Sequence, residues 1–171
     1  MTIWSRHSDH AQRLVESFGA DHRAVFRVAA SADRAVRDAD VICTVTAARE
    51  PVLRGGALRP GMHINAVGAS LPTTRELDTG AVAMSRIFVD RRESALNEAG
   101  DLLIPIQEGA ITADAICGEI GDLIARSAPG RSSPTEITLF KSLGLAIEDL
   151  ASAVFLRQEA ERDGSGSWIE L

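Results

Sequence analysis

MHINAVGASLPTTRELD, residues Met62–Asp78, is the segment around which this chain is organised. An apolar run from Met62 to Val67 leads into Gly68-Ala69-Ser70, and a helix is predicted to begin near residue 75. The pattern predicts a strand that ends at a loop where polar groups can meet a ligand. In open parallel sheets, ligands bind at the carboxyl ends of the strands. We therefore expect a binding edge at this loop, and the rest of the sheet and a closing helix after it.

Strands and helices are predicted to alternate along the whole chain. The apolar and β-branched runs that predict strands are Thr2–Trp4, Ala24–Val28, Val41–Thr46, Ile87–Val89 and Ile137–Phe140. Apolar residues at helical spacing predict helices at 11–18, 32–36, 77–84, 91–99, 116–125 and 143–156. Residues 101–109 are predicted to be irregular. Because this alternation fits right-handed crossovers, the fold class is α/β with a mostly parallel sheet of Rossmann, dinucleotide-binding type.

Capping residues at two helices follow from local sequence. Ser8 and Asp9 are N-cap candidates for the first helix, and Gly19 is its predicted C-cap. Ser31 is the predicted N-cap of the second.

Composition excludes several classes of protein. A net charge of −6 over 171 residues, without a basic run, argues against a nucleic-acid partner. Cys43 and Cys117 are far apart in apolar surroundings, which predicts reduced core thiols in a cytoplasmic protein. The four histidines show no metal-ligand spacing, so no metal site is predicted. No apolar run approaches about 18 residues and no signal peptide is visible, so no membrane association is expected.

Ser5-Arg6 follows the first predicted strand. In dinucleotide-binding sheets the second strand ends in an acid that binds the adenosine ribose, whereas an arginine there accommodates the 2′-phosphate of NADP. No acid stands at this strand end, so Arg6, Ser5 and Ser8 could hold a phosphate. The alternative, which the local sequence by itself favours, is a surface arginine followed by an N-cap serine.

Two neighbouring strands end in small or polar residues, at Thr44–Ala47 and at Gly68–Ser70. Small side chains there let a cofactor approach, although ordinary strand packing explains each one alone. Lys141-Ser142 lies where the last strand passes to the last helix, a junction that can reach a bound nicotinamide.

Three polar residues near the strand ends receive structural interpretations. His63 is interpreted as a structural histidine, and Ser70 has no neighbouring base that would make it a nucleophile. Glu76 is interpreted as the first-turn carboxylate of a helix.

Three separate segments together resemble the ornithine cyclodeaminase/mu-crystallin family. They are DADVICTVTAAREPVL (Asp38–Leu53), PGMHINAVGASLPTTRELD (Pro60–Asp78) and APGRSSPTEITLFKSLGLAIEDLASA (Ala128–Ala153). The resemblance implies a nicotinamide-binding Rossmann domain, a separate substrate and dimerisation domain, and a homodimer. It also implies, by position, that Ser5, Arg6 and Ser8 surround the adenosine ribose and 2′-phosphate. The residues that it implies along the rest of the cofactor are Thr46, Ala47, Val67 and Ser142.

The chain departs from the family's pattern in two ways. Family cyclodeaminases carry an aspartate as catalytic base after the glycine, where this chain has Ser70. A serine hydroxyl does not replace a carboxylate base, which favours the reductase branch, where hydride transfer is mainly the cofactor's chemistry. No G-x-G-x-x-G turn occurs in the sequence, and the family's first strand would precede Thr2. We therefore expect the C-terminal portion of such a protein, with two half-sheets, unpaired edges and an apolar helix face left exposed at 143–156.

The leading functional hypothesis is an NAD(P)-dependent oxidoreductase that reduces a small ketimine or imino acid, with NADP favoured over NAD because of Arg6. The alternatives are ornithine cyclodeaminase, an NAD-dependent lyase acting on an amino acid, and a non-enzymatic binding protein or inactive remnant. Residues 1–141 are expected to form a partial nucleotide-binding domain, and residues 142–171 a helix and tail that return toward the substrate and dimerisation domain. No catalytic residue or proton donor is identified from the sequence.

Overall fold

The computed structural model describes residues 1–18 and 24–169 of the chain. Its strands are β1 (Thr2–Ile3), β2 (Arg27–Val28), β3 (Val41–Thr44), β4 (His63–Ala66), β5 (Ser85–Val89), β6 (Ile116–Glu119) and β7 (Ile137–Lys141). Its helices are α1 (Ser8–Ser17), α2 (Ala32–Val36), α3 (Thr79–Ala83), α4 (Arg92–Glu98), α5 (Gly100–Gln107), α6 (Ile120–Ile124) and α7 (Ala146–Asp163). The alternation of strands and helices confirms the predicted α/β class.

The strands form two parallel sheets. One has five strands in the order β3-β4-β7-β5-β6, and the other consists of β1 and β2. Every strand pair within the described residues is parallel. Among the described residues, β1 pairs only with β2, and β3 pairs only with β4, so each has an unpaired edge, which confirms the expectation of two half-sheets.

The hydrophobic core lies around the middle of the five-stranded sheet. Ile64 of β4, Leu139 of β7 and Ile87 of β5 are almost completely buried. Leu77 and Leu102 cover them from the connecting segments and are also fully buried. Such burial is typical of central strands in a parallel sheet, which are covered on both faces.

Two predicted elements differ in the structure. The helix predicted at 116–125 is instead strand β6 followed by the short helix α6. Glu119 and Asp122 form a capping box that starts the helix only after the strand. Residues 101–109, predicted to be irregular, lie largely within α5, which contains Pro105 at an interior position.

Several helix boundaries also differ from the prediction. Helix α3 begins at Thr79 rather than at residue 77, because the Asp78 side chain accepts the Ala81 N–H as N-cap. The N-cap of α1 is His7 rather than Ser8 or Asp9, and it makes no side-chain capping bond. Ser31 is confirmed as the N-cap of α2. The predicted C-cap of α1, Gly19, lies outside the described residues.

The two cysteines are free thiols, but the prediction that they are buried was wrong. Cys43 is exposed because β3 alternates, with Ile42 and Thr44 facing inward and Cys43 facing outward. Cys117 occupies an exposed position of β6. Among the described residues, no helix is long and apolar enough to cross a membrane.

Helix α7 leaves the body of the fold with its apolar side chains uncovered. The large hydrophobic residues exposed along it are Ile147, Leu150, Val154, Phe155 and Leu156. This confirms the expected apolar helix face. Exposed apolar surface of this kind marks an interaction site or an aggregation liability.

Candidate functional site at the carboxyl ends of the strands

A cleft of about 500 Å³ lies between the carboxyl ends of β1 and β3. Ser5 and Arg6 follow β1 and form one wall, together with His7 and His10 of the next segment. Thr46 follows β3 and forms the opposite wall. The structure thus brings together three of the residues predicted to bind a cofactor, although they are about 40 positions apart in the sequence.

The other four predicted residues lie outside the lining of this cleft in the described chain. Ser8 is the first residue of α1, and Ala47 is an exposed neighbour of Thr46. Val67 follows β4 and is 44% exposed, and Ser142 follows β7. All four follow strand ends, so they share an edge with the cleft without forming one closed pocket.

Glu76 joins two of these strand ends. Its Oε1 accepts the Thr46 backbone N–H at 2.5 Å, and its Oε2 accepts the Gly68 N–H at 2.8 Å. The residue is fully buried, and it precedes α3 instead of lying in its first turn. The interpretation of Glu76 as a helix first-turn carboxylate was therefore wrong. Its role is to hold the loops after β3 and β4 together.

Gly68 permits this close contact between the loops. A Cβ atom on Gly68 would lie 2.1 Å from the Thr46 carbonyl oxygen and 2.5 Å from Glu76 Oε1. Since no side chain fits at those distances, the position requires glycine. Close packing between the loops after β3 and β4 therefore explains why a glycine stands at position 68.

Asp101 and Lys141 form a fully buried ion pair beneath these loops. Asp101 Oδ1 accepts the backbone N–H groups of Glu76 at 2.7 Å and Leu77 at 3.0 Å. Lys141 Nζ lies 3.2 Å from Asp101 Oδ2, so the two side chains are each other's partner. Burial raises the pKa of the Asp101 carboxyl, against the opposing effect of the Lys141 ammonium and the two N–H groups. The attraction between the two charges therefore offsets the cost of burying each of them.

Asp90 fixes the loop that contains Ser142. Its Oδ2 accepts the backbone N–H groups of Leu143 at 2.6 Å and Gly144 at 2.7 Å, and the Ser142 hydroxyl at 3.2 Å. Asp90 directly follows β5 and is almost completely buried. The loop after β7 is thus held by the end of the neighbouring strand, and Ser142 has a defined orientation.

Sequence reasoning missed these buried carboxylates as parts of the site. Lys141 gave one usable signal, because a charged residue that ends an otherwise apolar strand needs a buried partner or an exit to solvent. Asp101 carried no local signal. The His63 ring contacts the Thr138 hydroxyl and the Asn65 side chain, as expected of a structural histidine.

The edge offers binding groups rather than an evident catalytic pair. The cleft has a guanidinium from Arg6 and hydroxyls from Ser5 and Thr46. Ser70 is exposed, and no group of three potential metal ligands occurs among the described residues. The arrangement suits a phosphorylated ligand that lies along the strand ends.

The chain is similar to known reductases over about half of their length. It is 39% identical to the Delta(1)-pyrroline-2-carboxylate reductase of Colwellia psychrerythraea, over 90% of this chain and 49% of that protein. It is 43% identical to the ketimine reductase mu-crystallin of Mus musculus, over 88% of this chain and 44% of that protein. The curated relatives are thus about twice as long as the region they share with this chain.

A solved structure gives the same result for the fold. The Delta(1)-pyrroline-2-carboxylate reductase of Thermococcus litoralis, in complex with NADH and L-proline, superimposes with a TM-score of 0.91 at 37% identity. The match covers 98% of this chain and 52% of that one. Residues 1–164 match the family model, so the chain belongs to the ornithine cyclodeaminase/mu-crystallin family.

Proposed function

We propose that this chain is the nucleotide-binding part of an NAD(P)-dependent reductase of a small ketimine or imino acid. The observation that carries the proposal is the meeting of Ser5, Arg6 and Thr46 in one cleft at the carboxyl ends of β1 and β3, which belong to two parallel sheets. The relatives named as pyrroline-carboxylate and ketimine reductases, one of them with NADH bound, support the same activity.

The residues of the cleft fit a nicotinamide dinucleotide, and we infer a preference for NADP over NAD. Arg6 offers a cation, and Ser5 and Ser8 offer hydroxyls, at the strand end where a 2′-phosphate would lie. Thr46, Ala47, Val67 and Ser142 are the residues proposed to line the remainder of the cofactor. We assign them binding and orientation only.

When bound, the cofactor supplies the hydride that reduces the carbon of a C=N bond. The chain's own contribution is to orient the cofactor. Thr46 and Gly68 are held by Glu76, and Ser142 is held by Asp90, so the loops are fixed before any ligand arrives. Preorganisation of this kind lowers the cost of bringing reacting groups together.

For the whole protein, we propose the two-part organisation described above. Residues 1–141 form the nucleotide-binding part, and residues 142–171 return toward a substrate and dimerisation domain. The uncovered apolar face of α7 supports such a return, and a homodimer is the proposed assembly. A cytoplasmic location is supported by two free cysteines in the described chain.

Ornithine cyclodeaminase is the alternative activity within the family. Ser70 argues against it, because a serine hydroxyl does not act as the base that a carboxylate provides. A non-enzymatic binding role is the third candidate. Substrate-dependent NADPH oxidation identifies a reductase, whereas release of ammonia from ornithine without net cofactor turnover identifies a cyclodeaminase.

The first test is cofactor binding by the 171-residue chain. We expect weak binding of NADPH, with a Kd above the micromolar range, because β1 and β3 have unpaired edges within residues 1–18 and 24–169 and the sequence has no G-x-G-x-x-G turn. Arg6→Ala is expected to remove the preference for NADPH over NADH and to leave NADH binding unchanged. Equal affinity for both dinucleotides in the wild type would contradict the NADP assignment, and micromolar binding would contradict the expected weakness.

A further inference from the structure

We propose that Glu76 is a positioning residue for the nicotinamide half of the cofactor, an inference that rests on the proposed function. Glu76 is fully buried and is not among the residues that line the cleft. It acts through the two loops that it joins. The consequence is that one carboxylate sets the spacing of two strand ends at the binding edge.

Each oxygen of the Glu76 carboxylate accepts a hydrogen bond from a different loop. Oε1 holds the N–H of Thr46 after β3, and Oε2 holds the N–H of Gly68 after β4. The oxygens of a carboxylate are rigidly connected, so the two N–H groups are kept at a fixed separation. Gly68 lets the loops approach until only a hydrogen atom fits between them.

The backbone of Glu76 is itself held in place from below. Its N–H donates to Asp101, and Asp101 is paired with Lys141, the last residue of β7. Ser142 is the next residue and is held by Asp90. The ends of β3, β4 and β7 are thus linked through one buried polar network, and Glu76 is the member that touches two of the three loops.

The position of these loops indicates that they contact the nicotinamide half of the cofactor and not the adenosine half. Arg6 follows β1, Thr46 lines the same cleft after β3, and Gly68 follows β4, the neighbour of β3 in the five-stranded sheet. With a phosphate near Arg6, an extended dinucleotide would direct its other half toward β4 and β7. The N–H groups of Thr46 and Gly68 are already used by Glu76, so they do not serve a pyrophosphate. What these loops present instead is the small apolar surface of Ala47 and Val67.

A carboxylate is the group that this position requires. Both partners of Glu76 are N–H donors, and an ionised carboxylate accepts on both oxygens. A glutamine of the same shape has one acceptor and one N–H₂ donor. In Glu76→Gln, the side-chain N–H₂ group therefore faces the backbone N–H of either Thr46 or Gly68. That hydrogen bond is lost and its loop is released, with little change in side-chain volume.

Asp78 provides a matched control. Its Oδ1 also accepts two backbone N–H groups, from Ala81 at 2.7 Å and Gly55 at 2.8 Å, but these belong to α3 and the turn that packs on it. Asp78→Asn makes the same carboxylate-to-amide change away from the binding edge, but the single amide oxygen can keep both hydrogen bonds because both N–H groups donate to Oδ1. Asparagine is also a good N-cap, so this variant is expected to fold.

The experiment measures binding of the two cofactor halves to the 171-residue chain by backbone amide NMR. The probes are nicotinamide mononucleotide and 2′,5′-ADP. For Glu76→Gln we expect the Kd of nicotinamide mononucleotide to rise about tenfold, as for the loss of about one hydrogen bond, and that of 2′,5′-ADP to stay unchanged. Asp78→Asn is expected to change neither Kd. A general loss of structure would weaken the binding of both probes. A weaker binding of nicotinamide mononucleotide alone therefore reports on positioning.

The outcomes separate this proposal from the proposed function. Unchanged binding of nicotinamide mononucleotide to Glu76→Gln overturns the role of Glu76 and leaves the cofactor edge intact. Absence of any response to either probe in the wild type overturns the cofactor edge itself. Should Glu76→Gln fail to fold, Glu76→Asp keeps the charge but is one methylene shorter, and it must show the same selective weakening. Equal loss of both probes in that variant would also overturn the proposal.

Discussion

Replacement of Lys141 by methionine tests whether the buried ion pair balances the charge beneath the binding edge. Methionine has a volume close to that of lysine, so the main change is the loss of the ammonium. Asp101 would then keep its two N–H donors but lose its cation, in a place with no exposed surface. We expect a large loss of stability that depends on pH.

The magnitude follows from the geometry of the pair. At 3.2 Å, two unit charges attract by about 5 kcal/mol at an effective dielectric constant of about 20. Breaking a buried pair by removing one partner typically costs about 3–5 kcal/mol. A domain has only about 5–15 kcal/mol of stability in total. Lys141→Met is therefore expected to remove a large fraction of the free energy of unfolding at pH 8.

The pH dependence has a definite sign. Burial raises the pKa of Asp101 in the folded state, so its contribution to stability is fully present below the unfolded pKa and is lost as pH rises through the folded pKa. Lys141 opposes this rise, so its removal moves the folded pKa further up. The destabilisation by Lys141→Met is therefore smallest at low pH. It grows by at most about 1.4 kcal/mol per pH unit between the folded pKa values of the two proteins.

Urea unfolding followed by circular dichroism at pH 5, 6.5 and 8 provides the measurement. Arg157→Met is the matched control, because the ion pair of Arg157 with Glu161 on α7 is exposed, and its loss is expected to cost less than about 0.5 kcal/mol. The double variant Lys141→Met/Asp101→Asn removes both charges but keeps an acceptor for the backbone N–H groups, and it should recover most of the loss. A destabilisation below about 1 kcal/mol that is the same at pH 5 and pH 8 would refute the reasoning.

Three further perturbations test other parts of the structure. Gly68→Ala places a Cβ 2.1 Å from the Thr46 carbonyl oxygen and should destabilise the fold by about 2 kcal/mol. Gly56→Ala is the control, because the space around Gly56 is open and its melting temperature should change little. Equal melting temperatures for the two variants would contradict the close contact at Gly68. Asp90→Asn should cost about 1–2 kcal/mol and speed amide hydrogen exchange at residues 143 and 144, and unchanged exchange would contradict its role. Leu150→Glu should reduce self-association in sedimentation experiments, because Leu150 lies on the uncovered face of α7.

Strands of the five-stranded sheet could be predicted because their signal is local. The runs at Val41–Thr46, Met62–Val67 and Ile137–Phe140 each predict a strand without knowledge of its neighbours, and they coincide with β3, β4 and β7. Strand β6 could not be recognised in this way. Its residues alternate between buried Ile116 and exposed Cys117 over only four positions, and the apolar residues after them suit a helix. The order of strands in the sheet also lay beyond local reasoning, because β7 inserts between β4 and β5.

That Ser5, Arg6 and Thr46 meet at one edge could be predicted, because residues after parallel strands lie together whatever their separation in sequence. The polar network beneath it could not. Glu76 contacts Thr46 across 30 positions, and Asp101 contacts Glu76 across 25. Each of these acids has an ordinary surface explanation when it is considered alone. Only the fold shows that their carboxylates turn inward to satisfy backbone N–H groups of loops that would otherwise be unsatisfied.

These carboxylates leave the two ends of the edge with different hydrogen-bonding groups, and this difference affects the direction in which a ligand would lie along it. Glu76 and Asp90 are held by N–H groups and a hydroxyl in the described chain, so the loops after β3, β4 and β7 have few free donors for a phosphate. Arg6, at the end of β1, keeps its cation available to the cleft. A dinucleotide carries its phosphates on the adenosine side and between the two nucleosides, and its nicotinamide ring is uncharged when reduced. For a dinucleotide bound as proposed above, we therefore infer the orientation in which the phosphorylated end lies at β1 and the ring lies over the loops that Glu76 and Asp90 hold.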